Sequence, residues 1–360
     1  MEHAYAVIMA GGRGERFWPL STLKRPKQLL SLVDDTPLLT QAVERIRPLL
    51  APDRIFVITS ASLVEATRAV VPELPAENVI GEPCGRDTAA AIAVGAGLVK
   101  RRDPGAAFCV LTADHVIRDL DLFRETLSEG LKLASRKDVL ITIGIKPTYP
   151  STGFGYIETG ASAGTAGRIR FLEGKRFLEK PDAATAARFI EAGRYYWNAG
   201  MFIWSVRTIE SAMAAHRPAL APLIAKVAGA AGEQGVTRVM ESVYPTLEKI
   251  SVDYAIMEKA SNIVTAEGLF RWDDVGSWPA LAGVFDADAS GNIVIGQCEH
   301  VDSAGNIVYS KERLTALLGV KDMIVVQAGG ATLVCARDRA QDLKKIVQRL
   351  VDKGTYGDVL

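Results

Sequence analysis

Through roughly the first 145 residues, short apolar runs alternate with longer segments whose apolar positions return every three or four residues. The runs at residues 5–9, 55–59, 108–112 and 139–145 are rich in Val, Ile and Leu, with little polar interruption. A strand buried on one face alternates apolar and polar side chains, whereas a strand buried on both faces reads as a continuous apolar run. These four runs are therefore predicted as inner strands. Helical periods at residues 37–46, 62–71, 88–101 and 121–134 lie between them. Strand and helix in alternation predict βαβ units and a largely parallel sheet, an α/β fold.

The pattern changes after Pro147. Residues 151–180 are glycine-rich and predict two extended segments forming a lid or side wall. Helical patterns resume at 183 and run to about 260, interrupted by a short strand at 201–204. From about residue 285 the character shifts again. Gly291-Asn292-Ile293-Val294 recurs as Gly305-Asn306-Ile307-Val308, fourteen residues later. This small repeat predicts a few turns of β structure rather than further βαβ units. A closing amphipathic helix is predicted at about 339–351. The expected division is a main domain over 1–285 and a small C-terminal β domain over 286–360.

Composition narrows the function classes. The chain has 360 residues, 48 % of them hydrophobic, which is ample for a sizeable core. Lys plus Arg and Asp plus Glu number 42 each, so there is no basic excess for gripping nucleic acid. No apolar run approaches the roughly 18 residues of a membrane span. Met1-Glu2-His3-Ala4-Tyr5 lacks the basic and apolar regions of a signal peptide, so a cytoplasmic location is expected. Cys84, Cys109, Cys298 and Cys335 are scattered, as are the four histidines, so no structural zinc site is expected. Cys109 reads as a small buried hydrophobe, Trp197 and Trp204 as core, and Arg101-Arg102-Asp103 as the solvated end of a helix.

The most informative stretch follows the first strand: Ala10-Gly11-Gly12-Arg13-Gly14-Glu15-Arg16-Phe17-Trp18-Pro19-Leu20, then Pro26-Lys27. Closely spaced glycines let several backbone N–H groups converge on an anion, and Arg13, Arg16 and Lys27 add positive charge. A loop at a strand's carboxyl end is where open α/β sheets bind phosphates. The spacing matches neither G-x-x-x-x-G-K-[ST] nor a full G-x-G-x-x-G, because Phe17 stands at the third glycine position.

The segment resembles the signature of the sugar-nucleotide pyrophosphorylases, G-G-x-G-x-R-[LF]-x-P-L followed by P-K, and further resembles their mannose-1-phosphate guanylyltransferase (GDP-mannose pyrophosphorylase) branch. Further segments are similar to that branch in the same order. They are Glu82-Pro83-Cys84-Gly85-Arg86-Asp87-Thr88-Ala89, Thr112-Ala113-Asp114-His115, Phe177-Leu178-Glu179-Lys180-Pro181, Trp197-Asn198-Ala199-Gly200-Met201-Phe202 and Ser251-Val252-Asp253-Tyr254-Ala255. Asp274-Val275-Gly276-Ser277-Trp278 follows them. One departure is Ala90, where the family often has Pro, which implies a slightly different helix start.

The resemblance implies a Rossmann-like fold, with a mixed, mostly parallel sheet flanked by helices. It also implies a short left-handed β-helix-like C-terminal element and a symmetric homodimer formed through it. The implied reaction is nucleotidyl transfer: the phosphate oxygen of α-D-mannose 1-phosphate attacks the α-phosphorus of GTP and pyrophosphate leaves, with Mg²⁺. Such chemistry needs positioning and charge stabilisation more than a protein nucleophile. Arg16 and Lys27 are expected to bind the triphosphate and stabilise the leaving group. Ala10, Gly11, Gly12, Arg13, Gly14, Glu82, Gly85 and Thr88 are expected around the nucleotide, with Glu82 as the charged acceptor for the base. Lys180 is expected on the sugar phosphate and Glu179 on sugar hydroxyls, with Gly155 and Asn198 lining that pocket.

Asp114 and Asp274 are the metal candidates, Asp114 because it lies just past a strand's carboxyl end. Asp273 is a rival to Asp274, which the family motif favours by placing the ligand immediately before Val-Gly. Two other readings stay open. One is a glucose-1-phosphate thymidylyl- or uridylyltransferase, and the other is a non-catalytic nucleotide-sugar-binding regulatory subunit.

Overall fold

The computed structural model describes residues 2–12 and 14–360. These form two compact units, each assembled from separate stretches of chain. The first holds residues 2–11, Ala42–Ala113 and Ile117–Trp272, and the second holds Gly12–Gln41, Asp114–Val116 and Asp273–Leu360. The sequence boundary expected near 285 is a single cut, whereas the compact units divide the chain by contact.

The first unit is built on nine strands: β1 (Ala4–Ala10), β2 (Ile55–Ser60), β3 (Val79–Glu82), β4 (Ala107–Thr112), β5 (Leu140–Ile145), β6 (Tyr156–Ala166), β7 (Ile169–Leu178), β8 (Tyr195–Ser205) and β9 (Ile263–Gly268). They form one sheet in the order β3-β2-β1-β4-β8-β5-β9-β7-β6. β1 pairs in parallel with β2 and β4, Ala6 lying opposite Ile55 and Ala4 opposite Ala107. β3–β2 and β5–β9 are also parallel. β8 runs antiparallel between β4 and β5, and β6 and β7 form an antiparallel hairpin. The four runs predicted from the sequence are β1, β2, β4 and β5, in agreement with the mixed, mostly parallel sheet expected.

Two features differ from the sequence reading. The short strand expected at 201–204 is the end of an eleven-residue strand, Tyr195–Ser205, in the middle of the sheet. Its first residues, Tyr195-Tyr196-Trp197, are all buried, so they carry no two-residue alternation to betray the strand. The sequence pattern also does not mark β3 and β9. β3 is only four residues long at the sheet edge, and β9 carries Thr265 and Glu267 within its apolar pattern.

The helix Asp87–Arg102 supplies much of this unit's core, with every residue from Ala89 to Val99 buried. Its small side chains permit close packing: a Cβ at Gly97 would lie 2.7 Å from the Cβ of Val227, on the helix Ala221–Ala228. Ala90 sits buried in the first turn of this helix, which starts at Asp87. Cys109, Trp197 and Trp204 are core residues as predicted.

In the second unit, β10 (Ile293–Val301), β11 (Ile307–Leu318) and β12 (Met323–Ala328) run parallel, and β13 (Ala331–Ala336) closes them antiparallel to β12. Ile293 pairs with Ile307 and Val294 with Val308, so the fourteen-residue repeat is one coil of a β-helix-like stack. The two asparagines of the repeat form a buried ladder, Asn306 Nδ2 donating to Asn292 Oδ1 at 2.9 Å. This satisfies polar groups inside the turn that would otherwise be costly to bury. The helix Leu343–Lys353 follows.

The core of this unit joins Phe17, Leu30, Val275, Trp278 and Leu281 to Ile293, Ile307, Tyr309, Ile324 and Leu343. The C-terminal strands and the segment after the glycine-rich loop therefore share one interior. No helix among the described residues is long and apolar enough to cross a membrane.

Candidate active site

Lys27 is the centre of the second unit's cluster. It is only 6 % exposed, and an ammonium this buried needs partners. Its Nζ donates to Asp114 Oδ2 at 2.9 Å and to the Asp274 backbone carbonyl at 2.5 Å, and lies 6.0 Å from the centre of the Phe17 ring. Gly14 makes the approach possible. Its φ is 61°, and a Cβ there would fall 2.6 Å from Lys27 Cβ, so glycine is required both by conformation and by space. Arg16 Nη1 donates to the Gly276 carbonyl at 3.4 Å, while its buried Nε has no acceptor among the described residues. Arg13 lies outside the described residues.

The two carboxylates respond differently to Lys27. Burial pushes Asp114 up, but Lys27 and His115 outweigh it and hold the group below its ordinary value. Burial raises Asp274 to about 6, only partly opposed by Lys27, with Asp273 and Asp114 adding repulsion. Asp273, the rival metal candidate, accepts the Val275 N–H at 2.6 Å through Oδ1. Val275 has φ 43°, unusual for a β-branched residue, and is fully buried. Asp273 thus holds a strained turn while the Asp274 carboxylate remains uncommitted to the backbone beyond its own loop.

No group of three or more His, Cys, Asp or Glu among the described residues could cage a metal. Mg²⁺ does not need one, because it takes one or two carboxylates and completes its shell with phosphate oxygens and water. Asp114 and Asp274 fit that demand: their mutual repulsion is what a dication would relieve.

In the first unit, Glu82 ends β3. Tyr244 is fully buried and its hydroxyl donates to Glu82 Oε1. Burial drives the Glu82 carboxyl up to about 7, opposed by the Tyr244 hydrogen bond and reinforced by Asp87. The following loop is tied down at several points. Arg86 Nε donates to the Tyr244 carbonyl at 3.3 Å, and Thr88 Oγ1 accepts the Val252 N–H at 2.8 Å. Thr88, expected near the nucleotide, thus uses one acceptor position within the protein. Ala10 accepts the Thr59 hydroxyl at 3.1 Å through its carbonyl, which joins the ends of β1 and β2. A Cβ on Gly11 would come to 4.0 Å from Glu82 Oε2, and one on Gly85 would meet nothing.

A second group in this unit brings together Gly155, Glu179, Lys180 and Asn198, with one residue the sequence does not single out, Asp253. A Cβ at Gly155 would lie 2.5 Å from Glu179 Oε1, so the carboxylate keeps its present position only because glycine stands there. Asn198 Nδ2 donates to Asp253 Oδ1 at 2.8 Å, and its Oδ1 accepts from Thr142 Oγ1 and the Gly200 N–H, both at 3.1 Å. Burial raises Asp253, and burial followed by Asp253 raises Glu179 to about 7, against the pull of Lys180. Lys180 Nζ is 4.0 Å from Glu179 Oε2, its side chain is 66 % exposed, and its φ is 46°. Lys180, Val275 and Asp87 (φ 64°) place left-handed non-glycine backbone in three of the motif segments.

Residues 5–291 match the nucleotidyl transferase family. The chain belongs to that family. Residues 291–350 match the mannose-phosphate isomerase/GMP-like β-helix domain, in agreement with the coil of β10–β12 and with the expected C-terminal element. Similar proteins include mannose-1-phosphate guanylyltransferases from Escherichia coli strain K12 (35 % identical, 98 % of this chain and 74 % of the relative) and Salmonella montevideo (37 %, 96 % and 73 %). A solved structure from Thermus thermophilus, described as a mannose-1-phosphate geranyltransferase, is 36 % identical with TM-score 0.85, over 97 % of this chain and 99 % of that one. The resemblance read from the ordered motifs is borne out, and the chain is a nucleotidyltransferase by family.

Sequence reasoning misses Tyr244 and Asp253 as members of these groups, and it weighs Asp273 only as a rival metal ligand, not as the acceptor of the Val275 N–H. Asp253 stands within the motif Ser251-Val252-Asp253-Tyr254-Ala255, which is its available signal. Tyr244 has none, because its hydroxyl reaches a residue 162 positions away.

Proposed function

We propose that this chain catalyses guanylyl transfer from GTP to α-D-mannose 1-phosphate. The sugar phosphate oxygen bonds to the α-phosphorus, the bond to the β-phosphate bridging oxygen breaks, and GDP-mannose and pyrophosphate result. The observation that carries the reading is the buried Lys27, held between Asp114 and Asp274 behind a glycine loop, in a chain whose relatives are named mannose-1-phosphate guanylyltransferase. Lys27 and Arg16 bind the triphosphate and stabilise charge on the departing pyrophosphate. Asp114 and Asp274 hold Mg²⁺, which when bound neutralises phosphate charge. Gly11, Gly12, Arg13 and Gly14 offer backbone and charge to phosphates, while Glu82, Gly85 and Thr88 line the base side.

On the sugar side, Glu179 and Asp253 accept hydrogen bonds from hydroxyls, Asn198 and Gly155 shape the pocket, and Lys180 holds the attacking phosphate. The four cysteines are free, which suits a reducing, cytoplasmic setting. Val301, Leu314, Leu318 and Val334, on strands of the β-helix-like element, are 59–75 % exposed, and we assign them to a symmetric homodimer contact. Light scattering showing a monomer at micromolar concentration would remove that contact.

The decisive experiment is pyrophosphate release from a matrix of GTP, ATP, UTP and dTTP against mannose and glucose 1-phosphates. GTP with mannose 1-phosphate is expected to exceed other pairs by at least about tenfold in kcat/KM. A preference for dTTP or UTP with glucose 1-phosphate would move the chain to the neighbouring reaction. No release with any pair would favour a binding subunit.

A further inference from the structure

We propose that Tyr244 is a specificity-determining positioning residue, fixing the Glu82 carboxylate so that it reads the N1–H and 2-amino edge of guanine. This rests on the nucleotide reading above and assigns the device that enforces it.

The geometry supplies three parts. First, Tyr244 is immobile: its side chain is fully buried, and it begins the turn Tyr244–Thr246 that follows the helix Gly232–Val243. Arg86 clamps that turn from the Glu82 loop, through Nε to the Tyr244 carbonyl and through Nη2 to the Pro245 carbonyl. The Ile250 N–H donates back to the Arg86 carbonyl at 3.3 Å. Second, the hydroxyl takes one lone pair of Glu82 Oε1, and Oε2 has no hydrogen-bond partner among the described residues. Third, the nearest backbone on that side is bare. Gly11 approaches Oε2 with no side chain to cover it, and Gly85 leaves open space in the following loop.

A carboxylate offers about four lone-pair directions, so about one remains on Oε1 after Tyr244 and about two on Oε2. That is an acceptor pair matched to two adjacent donors. Guanine alone among the common bases presents N1–H and N2–H side by side. Adenine turns the N1 lone pair toward the same place, which repels a carboxylate, and uracil or thymine offers one N–H flanked by acceptors. A carboxylate free to rotate would point its lone pairs elsewhere and accept water. The tyrosine hydroxyl restrains its rotation, and the full burial of Tyr244 makes the bond persistent.

Inosine triphosphate isolates the effect, since hypoxanthine keeps N1–H and lacks the 2-amino group. The wild-type enzyme is expected to prefer GTP over ITP by at least about tenfold in kcat/KM. Tyr244→Phe removes one oxygen and should reduce that ratio by about fivefold or more, the change appearing in KM for GTP rather than in KM for mannose 1-phosphate. Glu82→Asp, which withdraws the carboxylate from the hydroxyl and leaves Tyr244 intact, should reduce the ratio likewise. It serves if the tyrosine variant does not fold. A wild-type GTP/ITP preference preserved in either folded variant overturns the assignment. A wild-type enzyme that uses UTP or dTTP as well as GTP overturns the nucleotide reading itself, a result separable because it needs no variant.

Discussion

The group around Lys27 and the groups around Glu82 and Glu179 solve opposite electrostatic problems. In the second unit one buried cation stands among carboxylates, so charge meets charge: Lys27 donates directly to Asp114 and to the Asp274 backbone. In the first unit two partly buried carboxylates meet neutral donors, Tyr244 for Glu82 and Asn198 for Asp253. The neutral Tyr244 donor does not offset the desolvation of Glu82, which is pushed up to about 7, and Glu179 reaches about 7 through burial and Asp253 against the pull of Lys180. The difference suits the ligands proposed. Phosphates bring their own charge and need fixed countercharge. Sugar hydroxyls and a base edge bring N–H and O–H donors, and need acceptors that discriminate by geometry.

The contrast is broken most severely by Lys27→Ala. Removing the cation held by the Asp114 carboxylate and the Asp274 carbonyl should lower kcat by about 30- to 1000-fold in steady-state assays, and also destabilise the second unit. The corresponding cation on the sugar side is mostly exposed, so Lys180→Ala should act more weakly. A rise of about tenfold in KM for mannose 1-phosphate is expected, with a smaller change in kcat. If Lys180→Ala lowered kcat as far as Lys27→Ala, the division of labour between the two lysines would be wrong.

A third test asks how far the phosphate side extends. Tyr309 packs on Trp278 with ring centres 5.6 Å apart, Trp278 on Phe17 at 5.1 Å, and the Phe17 ring lies beneath Lys27. This stack runs from the C-terminal β-helix-like element to the proposed catalytic lysine. Tyr309→Leu should cost on the order of 1–3 kcal/mol of stability and reduce kcat before it affects KM for mannose 1-phosphate. Thermal melts and kinetics on the same sample would check it. An unchanged kcat with a lowered Tm would make the stack packing alone.

The smallest expected effect is with pH, and it sharpens the carboxylate side of the contrast. Glu82 faces Tyr244 and Asp87, and Glu179 faces Asp253, Lys180 and Glu258; burial is the largest cause of both shifts. Their ionised forms are the acceptors. Each takes up a proton as pH falls through about 7, so KM for GTP and for mannose 1-phosphate should rise several-fold between about pH 8 and about pH 6. Flat KM profiles over that range would show that neither carboxylate works in its charged form.

Local pattern was enough for much of this molecule. Continuous apolar runs marked β1, β2, β4 and β5, because strands buried on both faces need apolar side chains at every position. The glycine loop and the fourteen-residue repeat were legible for the same kind of reason, each being a requirement of nearby backbone. Long-range pairing was not legible. The central place of Tyr195–Ser205 depends on which strands flank it, and nothing within those eleven residues encodes β4 and β5 as neighbours. The preference for Asp274 over Asp273 came from a motif, but the work of Asp273 in holding Val275 emerged only from the folded turn. Tyr244 and Glu82, 162 residues apart, and Tyr309 and Trp278 meet only in the folded chain. Sequence carries the local conformational and burial preferences of each segment, whereas hydrogen bonds and ring contacts between distant segments exist only after the core has brought them together.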